Sequence, residues 1–346
     1  MKKIVFTGGG SAGHVMPNVA LMEQLKEKYE LFYIGTDGIE KGLIAPLKIP
    51  YGQIECPKFI RGFAWKNFTI PFAFHRAVEK SKEILLTIQP DIIFSKGGYV
   101  ALPVVFAAKK LKIPCLTHES DLSLGLANRL MGSKCEYLLT AFPETAESVM
   151  NGRYVGAPLR SSIFGMDKSM ARAKYGFSAL NKPVLLVLGG GSGSKTVNDF
   201  VRKNLFQLCR KYYILHLCGK GNCVESNVAG YAQREFETDM GAAYACADGV
   251  IARSGANTVF EVLSLKKPTL FIPLQNARSR GDQVKNAEYF KKQGLCHVLY
   301  EKELEKLPTA IDGMMQDVSL QQRLKTCDVT CGNGKIIECI KEIIER

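Results

Sequence analysis

The chain has 346 residues, 46% of them hydrophobic and 23% charged, with a formal net charge of +13 at neutral pH. That length exceeds what one core comfortably fills and points to two domains, while the lack of any run of about 18 apolar residues excludes a membrane-spanning helix. The basic excess suits nucleic acid, anionic lipid or phosphorylated substrates, but no helix-turn-helix, zinc-finger or RNA-binding aromatic pattern aims it at bases, so no nucleic-acid partner is expected.

In chain order, Met1-Lys2-Lys3 leads straight into an apolar strand, so no secretory leader is expected. The first half then alternates strand patterns at Lys3–Phe6, Leu31–Gly35, Asp91–Ser95, Cys115–Thr117 and Tyr137–Thr140 with helix patterns near Val15–Tyr29, Phe72–Gln89, Ala101–Leu111, Leu122–Met131 and Glu144–Met150. Strand–helix alternation of this kind predicts a doubly wound parallel sheet. Lys182–Leu188 starts the pattern again, followed by a helix over Lys195–Lys211, a strand at Tyr213–Leu217, the buried strand Gly249–Ala252, a helix from Ala256 and the strand Thr269–Pro273. The fold class is therefore α/β, with two Rossmann-like domains over 1–158 and 159–333, and a last helix, 334–346, expected to pack back on the first domain.

Both halves open with a glycine-rich turn after their first strand. Gly8, Gly10 and Gly13 satisfy G-x-G-x-x-G, and Asp37 follows the second strand as a ribose-binding acid would, which keeps a dinucleotide-dependent dehydrogenase in play. The turn Gly189–Ser194 gives the second half its own phosphate-friendly wall, a pairing better suited to joining two phosphorylated molecules. Further polar residues fall at strand ends, where open sheets hold their ligands: His14, Lys96 to Tyr99, and His118, Glu119 and Asp121. In the second half, Arg253 to Glu261 reads as a strand end opening a helix, whose free amides and positive dipole end suit a diphosphate, with Glu261 placed to chelate a ribose diol. Gln275, Gln283 and Asn286 follow as amides suited to neutral hydroxyls. The plain alternative for each is local: a capped helix, a histidine held by a carbonyl, a hydrogen-bonded His-Glu pair.

The eleven cysteines are scattered and odd in number, which predicts reduced thiols in a cytoplasmic protein. Cys218–Cys223 and Cys327–Cys331 lack a second pair or a histidine cluster, and no D-x-D acidic pair follows a strand, so neither a metal site nor any cofactor is expected.

The turn ending in Gly13-His14, the run Lys96-Gly97-Gly98-Tyr99, His118-Glu119 with Gly125-Leu126-Ala127-Asn128, and Gly156-Ala157-Pro158-Leu159-Arg160 resemble the MurG family of peptidoglycan N-acetylglucosaminyltransferases. In the second half, Gly189–Ser194, Arg253–Glu261, Gln283 and Asn286-Ala287 continue the resemblance, which covers essentially the whole chain. It implies a GT-B fold and inverting transfer of N-acetylglucosamine from UDP-GlcNAc to the MurNAc 4-hydroxyl of lipid I, giving lipid II, without a metal. It further implies donor contacts at Arg160, Gly191, Ser192, Glu237, Ala256, Asn257, Thr258, Glu261, Gln283 and Asn286, with Ser11, Ala12, Gly13 and Asp121 reaching the donor from the first domain. Gly10, Gly13, His14, Gly98 and Tyr99 would meet the acceptor. His14 is the expected base, with Glu119 the alternative. The family pattern is broken at Asp121, where Asn is usual, and at Gly191, where Ser is usual. A GT-B epimerase acting on UDP-GlcNAc, a diacylglycerol glycosyltransferase and a non-catalytic membrane binder are the competing readings.

The stretch Lys58–Arg76 interleaves aromatic residues with Lys58, Arg61, Lys66 and Arg76, as suits the headgroup layer of an anionic membrane. Peripheral attachment to the cytoplasmic face of the cell membrane is expected, where the lipid-linked acceptor and other cell-wall synthesis proteins would be met.

Overall fold

The computed structural model describes residues 1–57, 70–177, 182–275 and 280–346. The chain divides into two compact units, Met1–Arg160 with Cys331–Arg346, and Ser161–Thr330.

The first unit is built on a parallel sheet of β1 (Lys3–Thr7), β2 (Glu30–Gly35), β3 (Tyr51–Gln53), β4 (Ile92–Ser95), β5 (Cys115–Glu119), β6 (Tyr137–Thr140) and β7 (Gly152–Tyr154), in the order β3-β2-β1-β4-β5-β6-β7. Period-two alternation divides its side chains between two cores. Ile4, Phe6, Ile92 and Phe94 face the helices Met16–Leu25 and Asn333–Ile344, while Val5 and Ile93 face the helices Ile70–Ile88 and Ala101–Lys110. Burial on both faces is why these strands are continuous apolar runs. The last helix belongs to this unit: Ile336, Cys339, Ile340 and Ile343 enter the first core. The Asn333 side chain pairs both backbone groups of Leu159, at 2.9 and 2.8 Å, and Arg153 meets Glu342 at 2.5 Å.

The second unit repeats the plan with β8 (Val184–Leu188), β9 (Tyr213–Leu217), β10 (Tyr231–Arg234), β11 (Gly249–Ala252), β12 (Thr269–Phe271) and β13 (His297–Val298), ordered β10-β9-β8-β11-β12-β13 and parallel throughout. In both sheets the strand order reverses beside the first strand, between β1 and β4 and between β8 and β11. The glycine turns therefore stand at the two switch points, the places where such sheets bind ligands.

Differences from the sequence reading are local. The helix expected over Lys195–Lys211 is two helices, Lys195–Lys203 and Leu205–Lys211, because Asn204 turns its amide back onto Phe200 O at 2.8 Å. The helix expected from Leu122 starts only at Leu126, since the preceding loop wraps around Glu119. The short edge strands β3, β7, β10 and β13 carry too few residues for a periodic signal. The break between the units falls after Arg160 and Thr330, rather than after Pro158 and Asn333. The stretch 58–69 and the loop 276–279 lie outside the described residues.

Candidate functional site

At the head of the first unit, the turn after β1 is held by Tyr33, whose hydroxyl donates to Gly8 O at 2.7 Å, and by Asn18, which donates to Thr7 O at 3.0 Å. Its middle is filled by the protein itself. The Gly10 N–H donates to Glu40 Oε2 at 3.2 Å, and this fully buried carboxylate also accepts from Thr36 N at 3.0 Å and from the Thr36 hydroxyl. Gly10 has φ +82°, and a Cβ there would fall 2.5 Å from the Tyr99 ring. The loop after β4 closes on the same turn, for a Cβ on Gly98 would lie 2.6 Å from Gly9 O and 3.4 Å from the His14 ring. Gly10, His14, Gly98 and Tyr99 are thus brought together. The Gly10 amide, however, is already taken by Glu40, so a diphosphate at this turn has the stretch Ser11–Gly13 left to meet. His14 is half-buried, and its Nδ1 lies 2.9 Å from the exposed Ser11 hydroxyl.

Glu119 ends β5, and its carboxylate accepts from the amides of Ser120, Asp121 and Gly125 at 3.0, 3.1 and 2.8 Å and from Asn128 Nδ2 at 3.0 Å. A carboxylate with four donors organises its loop. That is a poor place for the alternative base. Asp121 sits half-buried in this loop. His118 is fully buried with Nε2 2.9 Å from Gly156 O, and burial, followed by the nearby Lys96 charge, drives its pKa well below the ordinary histidine range. Arg160 closes the unit as a half-buried residue.

In the second unit, Ser194 caps the helix Lys195–Lys203, accepting from Val197 N at 3.4 Å. Gly193, at φ +75°, lets the turn lie against Cys218 O, which a Cβ would approach to 1.9 Å. Gly190 to Ser192, by contrast, are exposed, and a Cβ on Gly191 would meet nothing within 4 Å. Arg253, after β11, is taken up by the protein: its guanidinium donates to Ile272 O at 3.0 Å and to Ser194 Oγ at 2.8 Å, and pairs with Glu301 at 2.5 Å. It ties the two loops of the switch point together.

Gly255 opens the helix Ala256–Ser264. Ala256, Asn257 and Thr258 occupy its first turn, where amides have no partner inside the helix. Glu261 is half-buried one turn further on and accepts from the Tyr244 hydroxyl at 2.7 Å. Gln283 Oε1 accepts from Leu274 N at 3.0 Å, and Gln283 O accepts from the Ser254 hydroxyl at 2.8 Å, which fixes its amide over the ends of β11 and β12. Asn286, expected to read the sugar with it, is fully buried and donates to Ser254 O at 3.4 Å. That is a scaffold's place. Glu237 accepts from the Tyr175 hydroxyl and from Asp239 N, each at 2.9 Å, shaping the loop after β10. Glu40, Tyr244 and Tyr175 escape sequence reading because only the fold brings them to Gly10, Glu261 and Glu237. Among the described residues, no three His, Cys, Asp or Glu side chains gather as metal ligands would.

The glycosyltransferase family 28 N-terminal domain matches residues 4–140, and the corresponding C-terminal domain matches residues 184–336. A UDP-N-acetylglucosamine--N-acetylmuramyl-(pentapeptide) pyrophosphoryl-undecaprenol N-acetylglucosamine transferase of Clostridium perfringens is 44% identical, with 98% of each chain covered. The protein of that name from Lachnoclostridium phytofermentans is 43% identical over 99% of each. Among solved structures, Acinetobacter baumannii MurG superposes with a TM-score of 0.76 at 24% identity, covering 99% of this chain and 100% of that one. The UDP-GlcNAc 2-epimerase of Neisseria meningitidis gives 0.68 at 13% identity over 99% and 100%. The fold is GT-B, and with both domains matched across most of its length the chain belongs to glycosyltransferase family 28.

Proposed function

We propose that this chain transfers N-acetylglucosamine from UDP-N-acetylglucosamine to the N-acetylmuramyl 4-hydroxyl of lipid I, forming lipid II for peptidoglycan. The observation that carries this reading is 44% identity over 98% of both chains with relatives bearing that activity in their name. The epimerase likeness, at 13% identity, extends to the fold alone.

In this reading the donor lies on the second unit. The first-turn amides of Ala256, Asn257 and Thr258 take the diphosphate, Glu261 the ribose hydroxyls, Gln283 the sugar hydroxyls, the loop at Glu237 the uracil, and the exposed Gly191 and Ser192 the phosphate edge. Tyr244 positions Glu261 by its 2.7 Å hydrogen bond. The acceptor lies on the first unit against Ser11 to His14, Gly98 and Tyr99. The acceptor 4-oxygen attacks the anomeric carbon as the bond to the UDP oxygen breaks, inverting the centre, and the hydroxyl proton passes to His14. For His14 to accept it on Nε2, Nδ1 must carry the other proton and donate to Ser11, a bond the 2.9 Å contact supports. Charge on the departing diphosphate is met by the helix amides and Arg160, with no divalent ion in the mechanism.

The membrane surface is the acceptor's source. A net charge of +13 and the exposed Phe72 beside Arg76 on the helix Ile70–Ile88 support peripheral attachment at the cytoplasmic face. No helix among the described residues is long and apolar enough to cross a membrane. The test is transfer of labelled N-acetylglucosamine from UDP-GlcNAc to a short-chain lipid I analogue with EDTA present. Product made in EDTA supports the reading; an enzyme that binds UDP-GlcNAc yet makes no product, or that epimerises it, removes it.

A further inference from the structure

Two polar side chains at the head of the first unit have no partner that explains them. Lys96 stands one residue beyond β4 and is 2% exposed, yet among the described residues its ammonium meets no hydrogen-bond acceptor and no carboxylate at ion-pair distance. The ammonium nitrogen is not among the unpartnered atoms sealed from solvent. His118, fully buried on β5, has its Nδ1 unpartnered while Nε2 reaches Gly156 O.

Strand register puts them side by side. Ser95 pairs with Thr117 and also with Thr7, so the next positions along β1, β4 and β5 form the row Gly8–Lys96–His118. Side chains alternate along strands, so Lys96 and His118 leave the sheet on the face opposite Ser95 and Thr117, whose hydroxyls lie 3.3 Å apart. A Cβ on Gly8 would fall 3.3 Å from Lys96 Cβ, so the ammonium's stem runs directly beside the Gly8–His14 turn. Burial pulls the Lys96 pKa down, opposed by Glu119 and then Asp121. A neutral His118 supplies the row with an acceptor and no second positive charge. A buried ammonium with Glu119 and Asp121 near but neither at contact distance is left without a direct hydrogen-bonded counter-charge, which costs free energy that folding alone does not recover. It is the arrangement expected where an anionic ligand completes the site.

We infer that Lys96 is an acceptor-specificity residue, binding a phosphate of the lipid-linked diphosphate from beside the Gly8–His14 turn. The inference rests on the reading of this unit as the acceptor's. It also repairs a shortfall there, because the Gly10 amide is given to Glu40.

The test is titration of wild type, Lys96→Met and Lys96→Arg with geranyl diphosphate, inorganic pyrophosphate and UDP, followed by calorimetry, with KM for the short-chain lipid I analogue measured alongside. Lys96→Met is expected to weaken geranyl diphosphate binding and raise the acceptor KM by about tenfold to a hundredfold. UDP affinity should hold, which also certifies the fold, and Lys96→Arg should recover much of the loss. Stronger binding of geranyl diphosphate than of pyrophosphate identifies the lipid-linked group as the ligand rather than free phosphate. Wild type that does not bind geranyl diphosphate, or Lys96→Met that binds it equally with an unchanged acceptor KM, overturns the inference. Should wild type make no lipid II analogue, the proposed reaction fails, while the geranyl diphosphate titration still decides the role of Lys96.

Discussion

The turns after β1 and β8 share a glycine-rich sequence and a place at their sheet's switch point, but they are filled differently. In the first, Glu40 and Tyr99 occupy the space at Gly10, and Gly98 closes against His14. In the second, the crowding is confined to the base, at Gly189 and Gly193, and Gly191 and Ser192 stand open. A glycine in the first turn makes room for the protein, whereas Gly191 in the second leaves room for something else. Similar composition therefore conceals two arrangements: a closed mount for His14, and an exposed edge at Gly191 and Ser192.

The largest effect that would sharpen this contrast is at the mount. His14→Ala should lower kcat by about a hundredfold to ten-thousandfold while leaving UDP affinity unchanged, measured by label transfer and calorimetry; retained turnover would move the base elsewhere. Next come paired alanine substitutions in the open turn. Gly193→Ala, with φ +75° and a Cβ 1.9 Å from Cys218 O, should destabilise the second unit by about 3 kcal/mol or more, and Gly191→Ala by no more than about 0.5 kcal/mol in urea titrations. Equal costs at the two positions would break the comparison.

If Glu261 takes the ribose as proposed, Glu261→Gln should raise the donor KM by about tenfold at nearly constant kcat; steady-state kinetics decide. Glu40→Gln places an amide among three donors, Gly10 N, Thr36 N and the Thr36 hydroxyl, and should cost about 1–3 kcal/mol in denaturant unfolding. An unchanged midpoint would mean that the first turn does not depend on its filling.

The smallest effect concerns how the first unit is closed. Hydrogen bonding from Arg153, then from Tyr137, holds the half-buried Glu342 carboxyl down to about 2. Its stabilising contribution is therefore present above the ordinary carboxyl range and disappears as pH falls through that range toward 2. A Glu342→Gln variant should melt slightly below wild type at pH 7 and converge with it near pH 2. A gap that widens on acidification would contradict the assignment.

Much of this was legible in the chain. Apolar runs such as Ile4-Val5-Phe6 and Leu185-Leu186-Val187, each followed by glycines and a helical pattern, announce buried parallel strands, and their repetition announces two sheets. The motifs fall at strand ends because that is where the chain leaves the core and polar residues can be tolerated. Sequence did not reveal which of those residues face outward. Glu119 and Asn286 have the composition of ligand contacts, yet one is filled by the amides of its own loop and the other is buried behind Ser254. Arg253 is likewise taken up by Ser194, Ile272 and Glu301.

The sequence by itself determined the α/β class, the two glycine turns and the polar residues at strand ends, because hydrophobic periodicity and glycine spacing are local properties. Tertiary structure alone decided that Glu40 and Tyr99 close one turn, that the other remains open, that Arg253 ties loops together, and that Lys96 and His118 stand in one row. Each of these depends on partners brought together across the sheet from distant points in the chain, and hydrogen bonding and charge burial act on distance in space, which residue order does not specify.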